Sequence, residues 1–482
     1  MSRVIASLAL LSALNGAAAY TPEALADQVT ALPGSENLDI SFNQFSGYLD
    51  IPGGNGELSK HMHYWFVESM DEPASDPLAF WTNGGPGCSG LLGFMTEQGP
   101  FRANADMTLS ENPYAWNKVS NMVYIESPAG VGFSYADDKA DLTTGDDQTA
   151  LDNYNLIQAF LVRFPEYAAS DLYISSESYG GHYIPTLAKQ IVDSNTAGVE
   201  PTLNFKGFAV GNPYTDPYSG TPAMLDTYWG HQLVDKPTWD SYEALCRDAT
   251  KPNVKQCELL AVQIMVGVGD LNSYALDYPI CMSDSVAKMG RTQRYFLLKS
   301  LLSSSAALDE VVKSSLRSQV EGLGETAGGY EPCEENYAVD YLNMASVQQA
   351  IHVNEMKWDE CSYKVQYNTT DSAVTSTAPI YNYLVDGDFG LNMLVFSGDD
   401  DSVCGTVGTQ EWIWDLGYEV SGRSWRTYTY DQQTAGYATV WKDTNLGFLT
   451  IHGAGHEVPA YKPDVALDMW TRFLQGEFTK NQ

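Results

Sequence analysis

Three turns in this chain hold the side chains that nucleophilic catalysis requires. Ser178 lies in Ser176-Glu177-Ser178-Tyr179-Gly180-Gly181-His182, Asp401 closes the run Asp399-Asp400-Asp401, and His456 ends Gly453-Ala454-Gly455-His456. A serine hydroxyl is a poor nucleophile unless a histidine takes its proton, and that histidine needs a carboxylate to fix its tautomer. Small residues flank Ser178, as they must where the backbone turns sharply from strand to helix and leaves Oγ exposed. The usual pattern is G-x-S-x-G, and here Ser176 stands for the first glycine. One such turn alone is an ordinary loop in many proteins. Three of them, each after a strand-like run and in the order Ser, Asp, His, point to acyl transfer on Ser178.

The elements that must position these turns are legible as short apolar runs ending in small or polar residues. Residues 77–82 precede Asn83-Gly84-Gly85, 122–126 precede Ser127-Pro128, and 172–175 precede Glu177-Ser178. Residues 205–210 precede Gly211-Asn212, 393–397 precede Gly398-Asp399, and 447–451 precede His452-Gly453. Helical patterns lie between several of them, the clearest at 150–164. Strands alternating with helices imply an α/β fold around a mostly parallel sheet, with the site at the carboxyl ends of the strands. Residues 42–51 and 61–68 read as paired strands around a Pro-Gly-rich turn. His61 and His63 alternate on one strand face there; lacking a third ligand nearby, they read as surface histidines. Residues 214–341 break the rhythm, with four cysteines, a helix-like run at 292–306 and no clear buried strand, and read as an inserted helical cap. The division expected is therefore a leader at 1–19, core at 20–213, cap at 214–341 and core again at 342–482.

Composition bounds the partners. The chain has 482 residues, 44% of them hydrophobic, and 61 acidic against 26 basic residues give a net charge of −35. Such a surface repels nucleic acid and anionic membranes, and it suits an acidic compartment. The first 19 residues carry Arg3, an apolar run and small residues at Ala17 and Ala19, the pattern of a secretory signal peptide cut after Ala19. No later segment is apolar and long enough for a membrane span. Secretion favours disulfides; with 7 cysteines at least one is left over or pairs between chains. Asn368-Thr369-Thr370 is a glycosylation sequon.

Five motifs together resemble the serine carboxypeptidases over nearly the whole mature chain. They are WTNGGPGCSG at 81–90, ESPAGVGFSY at 126–135, SESYGGHYIP at 176–185, FSGDDDSVCG at 396–405 and HGAGHEVPAYKP at 452–463. The departures from the family's motifs are Ser176 for Gly, Gly180 for Ala and Gly90 for Ser, all exchanges of small residues. The resemblance implies an α/β-hydrolase fold with helices on both faces of the sheet and a disulfide-stapled cap. It also implies a peptidase that needs no cofactor or metal and acts on the C-termini of peptides and proteins. Ser178 would be the nucleophile, His456 the general base and acid, and Asp401, rather than Asp399 or Asp400, the residue orienting His456. The backbone N–H groups of Gly85 and Tyr179 would form the oxyanion hole.

Asn83 and Glu177, with Glu97 alongside, would grip the substrate's terminal carboxylate. Two close glutamates cannot both ionise cheaply, so one keeps a proton and donates it, a state that acid favours. The implied disulfides are Cys88 with Cys361, Cys246 with Cys257 and Cys281 with Cys333. Cys404 stays free near the penultimate side chain, and Glu457 lies near the pocket for the released residue. An acyltransferase of the same architecture, or a protective scaffold, is the alternative; the carboxylate grip and the intact triad favour the peptidase. The implied location is the secretory pathway, either secreted or in a vacuole or lysosome.

Overall fold

The computed structural model describes residues 20–247, 254–281, 330–368 and 376–480. The leader at 1–19, the threonines of the sequon and the helix-like run at 292–306 lie outside them. Ten strands form the main path of one sheet: β1 (Gln44–Pro52), β2 (Leu58–Val67), β3 (Leu78–Thr82), β4 (Asn121–Ile125), β5 (Leu172–Glu177), β6 (Phe205–Gly211), β7 (Asn392–Gly398), β8 (Arg426–Tyr430), β9 (Gln433–Val440) and β10 (Leu446–Ile451). Their order in space is β1-β2-β4-β3-β5-β6-β7-β10-β9-β8. The six strands from β4 to β10 in that order run parallel. Antiparallel pairs flank them on both sides.

Parallel strands covered by helices on both faces have no solvent side, so their residues form near-continuous apolar runs. That is why β3 reads Leu-Ala-Phe-Trp-Thr and β4 Asn-Met-Val-Tyr-Ile, every residue of both buried. Successive side chains still point to opposite faces. Phe80 and Ile174 enter one core, with helices α1 (Asp146–Arg163) and α2 (Gly180–Thr196). Trp81 and Tyr173 enter the other, beneath α3 (Pro463–Leu474). There Trp470 of α3 stacks on Trp116 at 4.3 Å, nearly parallel.

Between β6 and β7 the described residues hold helices Pro217–Gly230, Lys236–Tyr242, Val254–Gly267 and Glu334–Leu342, and no strand before residue 366. The first three share a small core of their own around Met224, Tyr228, Trp239, Val262 and Met265. All three expected disulfides form. Cys246–Cys257 closes a short loop in the insertion, and Cys281–Cys333 bridges it. Cys88–Cys361 joins the loop after β3 to the chain beyond the insertion, 273 residues on. Closing a loop that long constrains the unfolded chain by up to about 5 kcal/mol in the chain-entropy model. No helix of the described residues is long and apolar enough to cross a membrane.

One expectation fails. His63 is not a surface residue but has no exposed area at all. Its Nδ1 meets Glu126 Oε2 at 2.9 Å and its Nε2 meets Ser46 Oγ at 2.9 Å. The segment 351–361 covers it: the Ile351 carbonyl accepts from Ser46 Oγ at 2.7 Å, and Trp358 Nε1 donates to Glu126 at 2.7 Å. His61, two residues earlier, keeps partial exposure beside Asp50.

Candidate active site

The turn from β5 into α2 places Ser178 at φ +59°, the left-handed region that a non-glycine residue avoids unless its surroundings impose it. Three backbone bonds impose it here. Ser178 N–H donates to the Gly211 carbonyl at 3.1 Å, and its own carbonyl accepts from Gly181 at 2.9 Å and Tyr214 at 2.8 Å. The loop after β3 lies directly on this turn. A β-carbon on Gly84 would stand 2.5 Å from Tyr179 N and 2.7 Å from Ser178 Cβ, so only glycine fits. Gly87 N–H donates to Tyr183 Oη at 3.0 Å and fixes the loop from behind. Gly85 and Tyr179 therefore belong to two backbone segments packed on Ser178.

Asp401 and His456 come from the loops after the adjacent strands β7 and β10. His456 Nδ1 lies 2.7 Å from Asp401 Oδ2, both fully buried or nearly so. Oδ2 also accepts from Asn212 Nδ2 at 2.9 Å and Cys404 N–H at 3.1 Å, and Oδ1 accepts from Val403 N–H at 2.7 Å. Four donors hold the carboxylate in one orientation. With Nδ1–H committed to Asp401, Nε2 is the nitrogen left to take a proton, and it is buried without a hydrogen bond. Burial lowers the His456 pKa, but the Asp401 charge and hydrogen bond, with Glu457 and Glu97 behind, leave it raised.

The three consecutive acids have three different jobs. Asp399 accepts from Gly453 N–H at 2.6 Å and meets His452 Nδ1 at 2.8 Å, tying the loops of Asp401 and His456 together. Asp400 turns away toward the insertion, and Asp401 alone reaches His456. Two contributors escaped the sequence reading. Asn212 appeared only as the polar residue after the 205–210 run; its Oδ1 accepts from Gly398 N–H at 2.8 Å while Nδ2 serves Asp401. Tyr274, inside the insertion, accepts His456 N–H on its carbonyl at 2.7 Å and sets its ring edge-on to the imidazole at 4.7 Å.

Asn83, Glu97 and Glu177 converge below the same turn. Asn83 Nδ2 donates to Glu97 Oε1 at 2.9 Å and to Glu177 Oε1 at 2.8 Å, while Oδ1 accepts from Trp81 Nε1 at 2.8 Å and Gly93 N–H at 3.0 Å. All three side chains are buried. Burial pushes Glu97 up to about 7, opposed by its hydrogen bond to Asn83. Glu177 rises well above its ordinary value, first through burial and then through the charges of Glu97 and Glu457. Glu457 itself is pushed up to about 8 by burial; His456 opposes this, and Glu335 and Glu97 add to it. It sits at the N-cap of the short helix Val458–Tyr461 but makes no side-chain cap bond, which removes the capping role as its explanation.

The model of the serine carboxypeptidase family matches residues 33–476. The chain belongs to the serine carboxypeptidase family. "Serine carboxypeptidase-like 25" of Arabidopsis thaliana is 36% identical over 94% of this chain and 92% of its own. "Serine carboxypeptidase 24" of the same plant is 36% identical over 98% and 96%. A solved prohormone-processing carboxypeptidase from Saccharomyces cerevisiae superposes with a TM-score of 0.72 at 20% identity, over 94% of this chain and 97% of that one. That likeness shows the fold, an α/β hydrolase.

Within the serine carboxypeptidase frame, two further groupings have structural explanations. Asp401, Cys404 and His456 each bring a side-chain atom within 4.8 Å of the others. Cys404 is the free thiol, buried, and its pKa is driven well up by burial and by the charges of Asp401, Glu177 and Glu457. The second Ser–His–acid line, Ser46–His63–Glu126, copies triad connectivity but not triad function. Its serine proton is already donated to the Ile351 carbonyl, and none of its side chains is exposed.

Proposed function

We propose that this member of the serine carboxypeptidase family hydrolyses the last peptide bond of peptides and proteins through an acyl-enzyme on Ser178, in an acidic compartment of the secretory pathway. The observation that carries the reading is the Asn83 amide clamped between two buried glutamates. An endopeptidase or esterase has no use for such a group beside its nucleophile. A free C-terminal carboxylate does, provided one glutamate is protonated and donates to it. The raised pKa values of Glu97 and Glu177 supply that proton in acid and withdraw it as pH rises.

His456 Nε2 takes the Ser178 proton as Oγ attacks the scissile carbonyl. The Gly85 and Tyr179 N–H groups then stabilise the oxyanion, an effect worth about 3–4 kcal/mol per donor in comparable sites. His456 next passes the proton to the departing amine, and water repeats the sequence on the acyl-enzyme. Acid by itself disarms the base, because a charged imidazole cannot accept a proton. The same acid neutralises Glu97 and Glu457, whose charges help to raise the His456 pKa. Protonating the grip therefore lowers the pKa of the base, and both can work together below neutrality. A sugar-ester acyl donor has no carboxylate for the grip, which disfavours acyl transfer. The test is mass-spectrometric trimming of a peptide library by the purified protein between pH 4 and 7, with acyl-glucose transfer as the control. Stepwise loss of C-terminal residues supports the proposal, whereas acyl transfer without trimming overturns it.

A further inference from the structure

Asp400 has no part in the reaction just described, yet it is 2% exposed, although an aspartate in a turn ordinarily reaches water. Its bonds run to a distant segment. Its carbonyl accepts from Leu276 N–H at 3.1 Å, and Oδ2 accepts from Asp277 N–H at 3.0 Å. Ser402 extends the seam, since its N–H and Oγ both donate to the Ser273 carbonyl, at 3.1 and 2.7 Å. On the other side, His456 N–H reaches the Tyr274 carbonyl at 2.7 Å, and Tyr278 Oη donates to the Gly453 carbonyl at 3.0 Å. Residues 272–278 thus form a strap stitched to the loop of Asp401 and to the loop of His456. There is no slack in the seam: a β-carbon on Gly455 would stand 2.4 Å from the Tyr274 carbonyl oxygen.

We propose that Asp400 is a positioning residue whose carboxylate latches the 272–278 strap, and that the strap, through Tyr274, holds His456 against Asp401. The proposal rests on the triad roles given above and not on the identity of the substrate. The groups facing Asp400 are His231, whose Nε2 lies 3.4 Å from Oδ1, Asp277 on the strap and Asp399 in its own turn. Burial pushes the Asp400 pKa up to about 6. Charge is not what the latch requires, because Oδ2 can accept the Asp277 N–H whether or not the group is protonated. Asparagine keeps that acceptor and valine does not.

The groups facing the imidazole are Asp401, Glu457, Glu97, Cys404 and Tyr274. Burial lowers the His456 pKa. A loosened strap admits water, relieves that burial and moves the pKa upward. The readout is the rate of Ser178 labelling by an organophosphonate from pH 4 to 8, which depends on the triad but on no peptide pocket. Asp400→Asn should label within about twofold of the parent with an unchanged acid midpoint. Asp400→Val should label about tenfold more slowly, the equivalent of one or two hydrogen bonds, with its midpoint moved to higher pH. Ser402→Ala, a milder cut in the same seam, should shift the midpoint the same way with a loss of about threefold. Parent-like rate and midpoint in both Asp400→Val and Ser402→Ala overturn the latch. So does an equal loss in Asp400→Asn and Asp400→Val, which would assign the effect to charge.

Discussion

The Oγ of Ser176 stands 2.3 Å from the point where a β-carbon on Gly180 would fall. These two residues are the positions at which the turn around Ser178 departs from the family's motif, which has glycine first and alanine second. The structure makes the departures one event. The strand end β5 and the first turn of α2 approach so closely that only one of them can carry a side chain. In this chain the strand carries it, and the helix gives way.

Gly180→Ala should therefore be harmful here although alanine is the family's residue. Forcing extra atoms into a packed site costs typically 1–3 kcal/mol, and the strain falls one residue from the Tyr179 N–H. Adding Ser176→Gly should restore both stability and activity. The urea midpoint and kcat/KM of the parent, the two single variants and the double variant decide it. A double variant no better than Gly180→Ala would mean that the two exchanges are independent.

The central strands were legible because burial on both faces leaves continuous apolar runs, as at 78–82 and 121–125. The strand 426–430 at the sheet's edge and its neighbour 433–440 were not, since Arg-Thr-Tyr-Thr-Tyr has one buried position in five and neither strand carries a continuous apolar run. The triad turns could be read because each needs glycines or carboxylates next to the reacting residue. Asn212 and Tyr274 act from other parts of the chain and leave no local mark. His63 shows the same limit: alternation places it on a strand face, but what buries that face is a segment nearly 300 residues later.

Ser178→Ala should abolish peptide trimming and organophosphonate labelling while leaving the thermal midpoint near that of the parent. Loss of the nucleophile in comparable enzymes lowers turnover by a factor on the order of 10⁶. Residual trimming at more than a thousandth of the parent rate would remove Ser178 from its assigned role.

The carboxylate grip predicts a pH-dependent discrimination between acid and amide substrates. Glu177 has a raised pKa, so its donated hydrogen bond is present in acid and lost as pH rises through that value. Glu177→Gln keeps two donor hydrogens at every pH. Its kcat/KM should fall less between pH 5 and pH 8 than that of the parent. C-terminal amidation should be costly to both, because the amide is uncharged. Equal rates on acid and amide forms of one peptide would dismiss the grip.

Cys404 should resist alkylation in the native protein. The thiolate is the reactive form, and burial together with Asp401, Glu177 and Glu457 drives the pKa well above the ordinary range. Iodoacetamide at pH 7 should modify it at least tenfold more slowly than a free cysteine. Once modified, the added group crowds Asp401 and His456, and activity on bulky penultimate residues should fall first. Rapid labelling, or full activity after confirmed modification, would show that the thiol faces away from the site.

The released side chain should be read by Glu457, in a pH range set by the raised pKa of its carboxyl group. Its carboxyl group is pushed up to about 8, chiefly by burial, with Glu335 and Glu97 adding to the effect. Below that value the group is largely neutral, so the pocket offers a C-terminal arginine no charge and accepts leucine equally well. As pH rises through about 8 the carboxylate appears, and a hydrogen bond to a charged group is worth roughly 1.5–3 kcal/mol. The ratio of kcat/KM for two blocked dipeptides ending in Arg and Leu should therefore climb about tenfold or more between pH 6 and pH 9. Absolute rates fall over the same range as the grip loses its proton, so the ratio, not the rate, is the measurement. Glu457→Met should flatten the climb and favour Leu throughout. A climb that survives this substitution would assign the charge to Glu335, and a ratio flat in the parent would mean that neither carboxylate reads the leaving residue.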